Sequence, residues 1–321
     1  MSESRSVSAG AGILVVGGRG FVGSHIVRLL LASGYRVHVC GPDMAIDLLR
    51  DVRSRLTETI GSVEDTAALN AIMTAAPPAA IVTCAAYGEG SAGLMRSGEA
   101  DADRAFAVNV DGFRNLIDAA ARHAVRRIVW TSSTVVYGPT EAYGDVRVDE
   151  RSAKAPRTVY GLTKHVAEEV AIFLAARHRI EIVGLRLPLV LGPGLWYQGA
   201  AAALIALLRA ARNHEAHTIA FHDLAMDLMH VADTARAVVA TLEAASIALP
   251  IYNVNGFAAS AGDLVQAIAA QRPGLRITHE VQPATMQFPL ISDAAFRQAF
   301  AFAPDYDLDG LVADMLATTE G

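Results

Sequence analysis

The sequence predicts an α/β fold, a doubly wound parallel sheet carrying a smaller C-terminal domain. Three observations predict it. Short apolar, β-branched runs alternate with helical stretches from Ile13 to Thr131, the pattern of repeated βα units whose strands are buried on both faces. The first run leads into Gly17-Gly18-Arg19-Gly20-Phe21-Val22-Gly23 and then into a helix. After Pro193 the alternation gives way to irregular strands, an Ala-rich helix and late Phe and Pro.

Taken in order, Ile13–Val16 reads as a buried parallel strand, followed by the glycine turn and a helical run from Ser24 to Ser33, with Gly34 as its C-cap. Glycines at 17, 20 and 23 suit a tight turn, close approach of backbone N–H groups to a pyrophosphate, and close helix–strand packing. The second strand, Tyr35–Cys40, arrives where a dinucleotide fingerprint needs it. Gly17, Arg19, Gly20, Phe21 and Val22 are therefore candidate cofactor contacts. Leu56–Ile60 reads as a third strand, with Ser62 and Val63 where an adenine would lie, and 65–75 as a helix ended by Pro77-Pro78. Ala80–Cys84 is a fourth strand leading into Ala85-Ala86-Tyr87. The segment 88–102 reads as a loop long enough to be a functional flap. A helix over 103–123 and a fifth strand over 127–131, ending in Ser132-Ser133-Thr134, complete the pattern. Ligands of such sheets bind beyond the carboxyl ends of the strands, where Ala86 and Ser133 fall.

An acid that commonly holds the adenosine ribose is missing from the end of the second strand. Gly41 stands there, with Asp43 two positions late, and Arg19 could reach a 2′-phosphate or cover the adenine. The choice between NAD and NADP stays open, with weak discrimination expected.

Composition narrows the remaining classes. The chain has 321 residues, 52% of them hydrophobic and 19% charged, and a net charge of −6. That balance argues against nucleic acid as a partner, since phosphate contacts need clustered Lys and Arg. Cys40 and Cys84 read as free thiols, which suits a cytoplasmic location. No apolar stretch spans a bilayer, 200–211 being the nearest and too short, so no membrane partner is expected. His214, His217 and His222 cluster without the spacing of a metal site, and no metal is expected. Residues 1–10 read as a disordered tail.

Tyr160 and Lys164 are four apart on a predicted helix, so phenol and ammonium share one face. A nearby cation favours the phenolate and makes a tyrosine usable as acid or base near neutrality. Ser133 offers a hydroxyl to hold a substrate oxygen beside it.

With these motifs in this order, the chain resembles an extended short-chain dehydrogenase/reductase of the NAD-dependent epimerase/dehydratase family. The resemblance rests on the Gly17/Gly20/Gly23 loop, Asn109-Val-x-Gly112, Ser132 to Gly138, Tyr160-x-x-x-Lys164, Leu185-Arg186 through Gly194, and Met229 to Asp233. It implies a Rossmann sheet with NAD or NADP as cofactor. It implies Tyr160 as acid/base, Lys164 as the group that binds the nicotinamide ribose and lowers the tyrosine pKa, and Ser133 as the catalytic hydroxyl. Asn109 matches a residue lining the nicotinamide side of the cleft, and Pro188 the segment lying against the carboxamide. A homodimer built on the helices over 103–123 and 157–178 is also implied.

The departures from that pattern concern the substrate. Nucleotide-sugar members carry Asn or Arg where this chain has Leu189, Met226 and the non-basic stretch 283–289. A diphosphate needs charge-assisted bonds, so a small-molecule substrate without a nucleotide is expected, a sugar acid, hydroxy acid or apolar alcohol. Tyr87, Ser133, Thr134, Arg157, Leu189 and Met226 are the candidate substrate contacts, with Arg157 placed to meet a carboxylate. A nucleotide-sugar 4-epimerase and a catalytically silent NAD(P)-binding regulator are the alternatives, and Thr134-Val135 after Ser133 disfavour a 4,6-dehydratase. Residues 11–188 plus 228–253 are expected to form the NAD(P)-binding domain and 189–227 plus 254–321 the substrate domain. His230 and Arg186 read as structural, Asp223 and Asp227 as a solvated face or cap, and Met226, Met229 and Met286 as packing residues by default.

Overall fold

The computed structural model describes residues 7–196, 199 and 202–317. The first half runs β1 (Gly12–Val16), α1 (Phe21–Ala32), β2 (Arg36–Gly41), β3 (Thr57–Ile60), α2 (Thr66–Ala75), β4 (Ala80–Thr83), α3 (Leu94–Ala100), α4 (Ala102–Phe106), α5 (Phe113–Arg122) and β5 (Arg127–Ser133). It continues with α6 (Val159–His178), β6 (Glu181–Leu187), β7 (Leu189–Leu191), α7 (Ala202–Arg212), β8 (His217–Phe221), β9 (Met226–His230), α8 (Val231–Glu243) and β10 (Ile251–Asn253). The chain closes with β11 (Phe257–Ala259), α9 (Ala261–Gln271), β12 (Ile277–Val281), α10 (Ala294–Phe300) and α11 (Leu308–Ala317).

Seven strands form one sheet in the order β10-β6-β5-β4-β1-β2-β3, every neighbouring pair parallel. This is the predicted Rossmann sheet. The order reverses between β1 and β4, and the crevice at that reversal is where such folds bind ligands. β1 and β4 are almost wholly buried because helices cover both faces, as their unbroken Ile/Leu/Val runs require. One core cluster packs α1, α8 and the C-terminal helices on one face; a second packs α2, α5 and α6 on the other. Two smaller sheets, β11-β9-β7 and β12-β8, lie in the later part of the chain.

Several sequence expectations are corrected. The segment 88–102 is not an open loop. It contains α3, where Ser97 Oγ donates to Gly93 O at 2.9 Å and receives Glu89 N at 2.9 Å. The stretch 103–123 is interrupted at 107–112 by a π-helical turn. The polar lead-in is anchored from Val7, which is buried and whose carbonyl accepts from Tyr35 Oη at 2.9 Å; the rest of the expected tail, 1–6, lies outside the described residues. The Ala-rich helix is α7, described over Ala202–Arg212. Met229 packs in the core, but Met286 is exposed. No helix among the described residues is long and apolar enough to cross a membrane.

Candidate active site

Where β1 ends, the chain turns at Gly17 with φ +78°, and a Cβ there would lie 2.8 Å from Ala85 N. Only glycine permits that approach between the ends of β1 and β4. Gly20 N closes the turn onto Gly17 O at 3.1 Å. Gly20 then begins α1 with no side-chain cap and no acid in the first turn, which holds Phe21 and Val22. By contrast Asp65, Thr158, His230 and Ser260 cap α2, α6, α8 and α9 with their side chains. The partly positive N-terminus of α1 is thus left for an external anion, and this cradle fits the phosphates of a dinucleotide.

Val63, Ala85, Asn109 and Lys164 line one small recess together with Thr83 and Trp130. Ser62, beside Val63, donates to Glu64 Oε2 at 3.1 Å. Ala86 is half-buried just past β4, and Pro188 joins β6 to β7. Asn109 is buried within the π-helical turn, a local widening that recurs at functional sites. Its Oδ1 accepts from Tyr87 N at 2.7 Å and its Nδ2 donates to Thr163 Oγ1 at 2.9 Å. The side chain therefore fastens the loop after β4 to the helix that carries Tyr160 and Lys164.

That helix, α6, is started by Thr158, whose Oγ1 accepts Gly161 N at 3.0 Å, and by Glu99, whose Oε1 accepts Val159 N at 2.7 Å. Tyr160 and Lys164 are both buried, and Lys164 Nζ lies 5.8 Å from the Tyr160 ring centroid. The ammonium donates to Thr131 O at 2.8 Å and stands 5.6 Å from the Trp130 ring. Burial brings its pKa down to about 8, with Cys84 and Glu168 pulling the other way. Cys84 lies beside it, a thiol pushed up to about 12 by burial. Ser133 ends β5, and α6 packs so tightly on the following turn that a Cβ at Gly161 would strike Val135 O. Ser133, Tyr160 and Lys164 are thereby gathered at the carboxyl end of β5.

The substrate candidates are more dispersed. Tyr87 is half-buried and donates its hydroxyl to Glu89 Oε2 at 3.1 Å. Thr134 is half-buried in the 3-10 turn over 134–136, and Arg157 is exposed just before α6. Leu189 and Met226 lie on the adjacent strands β7 and β9, with Leu189 in register with Leu228. The ion-pair clusters around them belong to the scaffold. Arg186 pairs with Glu168 and donates to Tyr137 Oη at 2.8 Å. His230 accepts Ala232 N at 3.1 Å, bonds Asp314 at 3.0 Å and stacks on Tyr306. Both are structural, as the sequence suggests. Asp227 is not solvated: its side chain is only 6% exposed, accepts Asn255 Nδ2 at 2.6 Å and Ile291 N at 2.7 Å, and burial brings its carboxyl up to about 6. Asp223 remains exposed and accepts Gly262 N at 2.7 Å, close to a capping role. Arg19 is buried rather than extended, its guanidinium held by Asp43 and Glu58.

Sequence reasoning missed Trp130, Thr83, Thr163 and Glu99. Trp130 and Thr83 had a signal, since both sit at the carboxyl ends of predicted strands. Thr163 and Glu99 had none, because their partners lie 54 and 60 residues away. Among the described residues no group of three His, Cys, Asp or Glu is arranged to hold a metal.

A family model described as the NAD dependent epimerase/dehydratase family matches residues 13–254. A bovine (Bos taurus) mitochondrial L-threonine 3-dehydrogenase is 28% identical over 235 residues, 70% of this chain and 62% of that protein. The match thus spans about three-fifths of that relative's length. A dTDP-L-rhamnose 4-epimerase of Burkholderia thailandensis is 30% identical over 306 residues, covering 83% of this chain and 82% of that one. Among solved structures, a GalE-like L-threonine dehydrogenase from Cupriavidus necator superposes with a TM-score of 0.80 at 23% identity, covering 96% of this chain and all of that one.

Proposed function

Since the chain belongs to the NAD dependent epimerase/dehydratase family, we propose that it is an oxidoreductase interconverting a secondary alcohol and a ketone on a small substrate without a nucleotide. One observation carries this reading: the buried Lys164 ammonium, 5.8 Å from the Tyr160 ring and bonded to a backbone carbonyl rather than a carboxylate. A cation so placed favours the phenolate, which is the form a general base needs. In this reading Ser133 holds the substrate oxygen and Tyr160 takes its hydroxyl proton. Lys164 keeps the phenolate accessible and binds the nicotinamide ribose. Gly17, Arg19, Gly20, Phe21, Val22, Ser62, Val63, Ala85, Ala86, Asn109 and Pro188 line the rest of the dinucleotide site. The nicotinamide supplies the hydride acceptor when bound.

The substrate reading rests on Leu189 and Met226. Neither can match the charge of a diphosphate, and burying one against them costs several kcal/mol. Tyr87, Thr134 and Arg157 complete the substrate set, Arg157 meeting a single carboxylate. L-Threonine, a hydroxy amino acid, falls within this class, and a threonine dehydrogenase is among the relatives. The segments 189–227 and 254–321 form the substrate domain over the NAD(P)-binding domain of 11–188 plus 228–253. The enzyme is a cytoplasmic homodimer. Phe173 on α6 is exposed and serves the contact, whereas Phe113 and Ile117 of α5 are buried against the sheet.

A nucleotide-sugar 4-epimerase is the second reading, favoured by the 30% identity to the rhamnose 4-epimerase. Calorimetry with UDP and dTDP separates the two. The dehydrogenase reading expects binding weaker than ~1 mM, above about −4 kcal/mol. Micromolar binding restores the epimerase. A panel of hydroxy acids and sugar acids, followed by nicotinamide absorbance, then identifies the substrate.

A further inference from the structure

Arg19 stands in the glycine turn, where a free guanidinium would suit the 2′-phosphate of NADP. It is not free. Nη2 bonds Asp43 Oδ1 at 2.9 Å and Nη1 bonds Glu58 Oε2 at 3.0 Å, with the side chain 9% exposed. The other Glu58 oxygen receives Arg53 Nη1 at 3.1 Å, and Arg53 Nη2 reaches Asp47 Oδ2 at 2.9 Å. Three carboxylates therefore surround two guanidinium groups, leaving the cluster net negative. It lies past the carboxyl end of β2 and at the start of β3, where Val39 pairs with Glu58 and Gly41 with Ile60. A Cβ on Gly41 would be 3.8 Å from Gly17, so this end of β2 abuts the phosphate-binding turn. The adenosine ribose of a dinucleotide belongs at that place.

We propose that Asp43 and Glu58, by clamping Arg19, make this end of the cleft select NAD over NADP. The proposal rests on the dinucleotide reading above and goes beyond it by naming the residues that choose. A 2′-phosphate would have to break both ion pairs and then stand beside the two carboxylates it displaced. A ribose hydroxyl is a neutral donor. Asp43 is 81% exposed and spends only Oδ1 on Arg19 and Met44 N, leaving Oδ2 to accept from that hydroxyl. Asp43 thus stands in for the acid missing from the end of β2. The residue that reads from sequence as a phosphate ligand serves as the clamp's centre.

Titrating cofactor-free protein with NAD and NADP, by calorimetry or tryptophan fluorescence, tests this without turnover. The expected dissociation constant for NADP is about 100-fold the weaker, and a ratio below about ten overturns the proposal. Asp43→Asn with Glu58→Gln should tighten NADP by about tenfold or more and weaken NAD, whose ribose loses the Asp43 carboxylate, so the NADP-to-NAD ratio of dissociation constants falls from both sides. Adding Arg19→Met to that pair should erase the gain. No gain, or a gain that survives loss of Arg19, overturns the clamp. If the double variant melts early, the Asp43→Asn change alone, on an exposed side chain, should move the ratio in the same direction. Failure to bind either dinucleotide would instead sink the cofactor reading itself.

Discussion

Lys164 and Glu168 sit one turn apart on α6, both buried, and their surroundings differ in one respect. Glu168 is matched: Arg186 donates to it through Nε at 2.8 Å and Nη2 at 2.6 Å, and Ser132 Oγ adds a third bond at 2.7 Å. Lys164 is unmatched, bonding a backbone carbonyl and bordering a thiol that remains protonated. A matched buried pair fixes geometry; an unmatched buried cation holds an unfavourable charge ready for a neighbouring phenol or a ligand. The turn of α6 that carries Lys164 is therefore the chemical one, and the turn after it, with Glu168, secures the helix to β5 and β6.

The largest expected effect breaks the chemical turn. Tyr160→Phe removes the proton-transfer group and leaves packing nearly intact, so turnover should fall by roughly 10²–10⁴-fold. The circular dichroism spectrum and melting midpoint should stay close to those of the native protein. Near-native turnover in a folded Tyr160→Phe variant would remove Tyr160 from the mechanism and with it the contrast drawn along α6.

How far the sequence revealed this contrast depends on how local each signal is. β1, the glycine turn and the Tyr160/Lys164 pair are short-range patterns, and each stands where its spacing put it. The reading of Arg186 as structural also held, although its partner Glu168 went unnamed. What escaped depends on contacts distant in the chain. α3 is seven residues long and is held by Ser97 and by docking through Glu99, so its own periodicity was too weak to see. The π-helical turn at 107–112 widens a sequence with ordinary helical propensity. Arg19 meets Glu58 across 39 residues, and no spacing rule shows that a loop arginine is already neutralised.

Breaking the matched turn should cost stability before it costs chemistry. Arg186→Met leaves the Glu168 carboxylate buried without a counter-charge, which costs about 3–5 kcal/mol. Denaturant unfolding should show that loss, or the protein should accumulate insoluble. Adding Glu168→Leu removes the stranded charge and should recover most of the difference, because an apolar replacement of a whole buried pair is often near neutral. A double variant no more stable than Arg186→Met would show that the hydroxyls of Ser132 and Tyr137, rather than charge matching, dominate the cluster.

The smallest expected effect has the opposite sign. In the folded, cofactor-free protein the Lys164 ammonium loses its proton near pH 8, against 10.5 for an exposed lysine. Below about pH 8 both folded and unfolded chains hold the proton, and the folded state carries the full burden of the buried charge. Between about 8 and 10.5 the unfolded chain still binds a proton that the folded chain has released, so the burden fades and stability rises with pH. Lys164→Met keeps similar bulk without the charge. It should therefore be inactive yet more stable than the native protein at pH 7, by at most about 3.5 kcal/mol, the fall from 10.5 to about 8 at ~1.4 kcal/mol per pKa unit. The lost bond to Thr131 O offsets part of that gain. Unfolding both proteins at pH 7 and pH 10 cancels every other titrating group, so the gap between them should narrow at the higher pH. A Lys164→Met variant less stable at pH 7, or a gap that ignores pH, would mean that Lys164 is matched in solution and that the two turns of α6 do not differ as described.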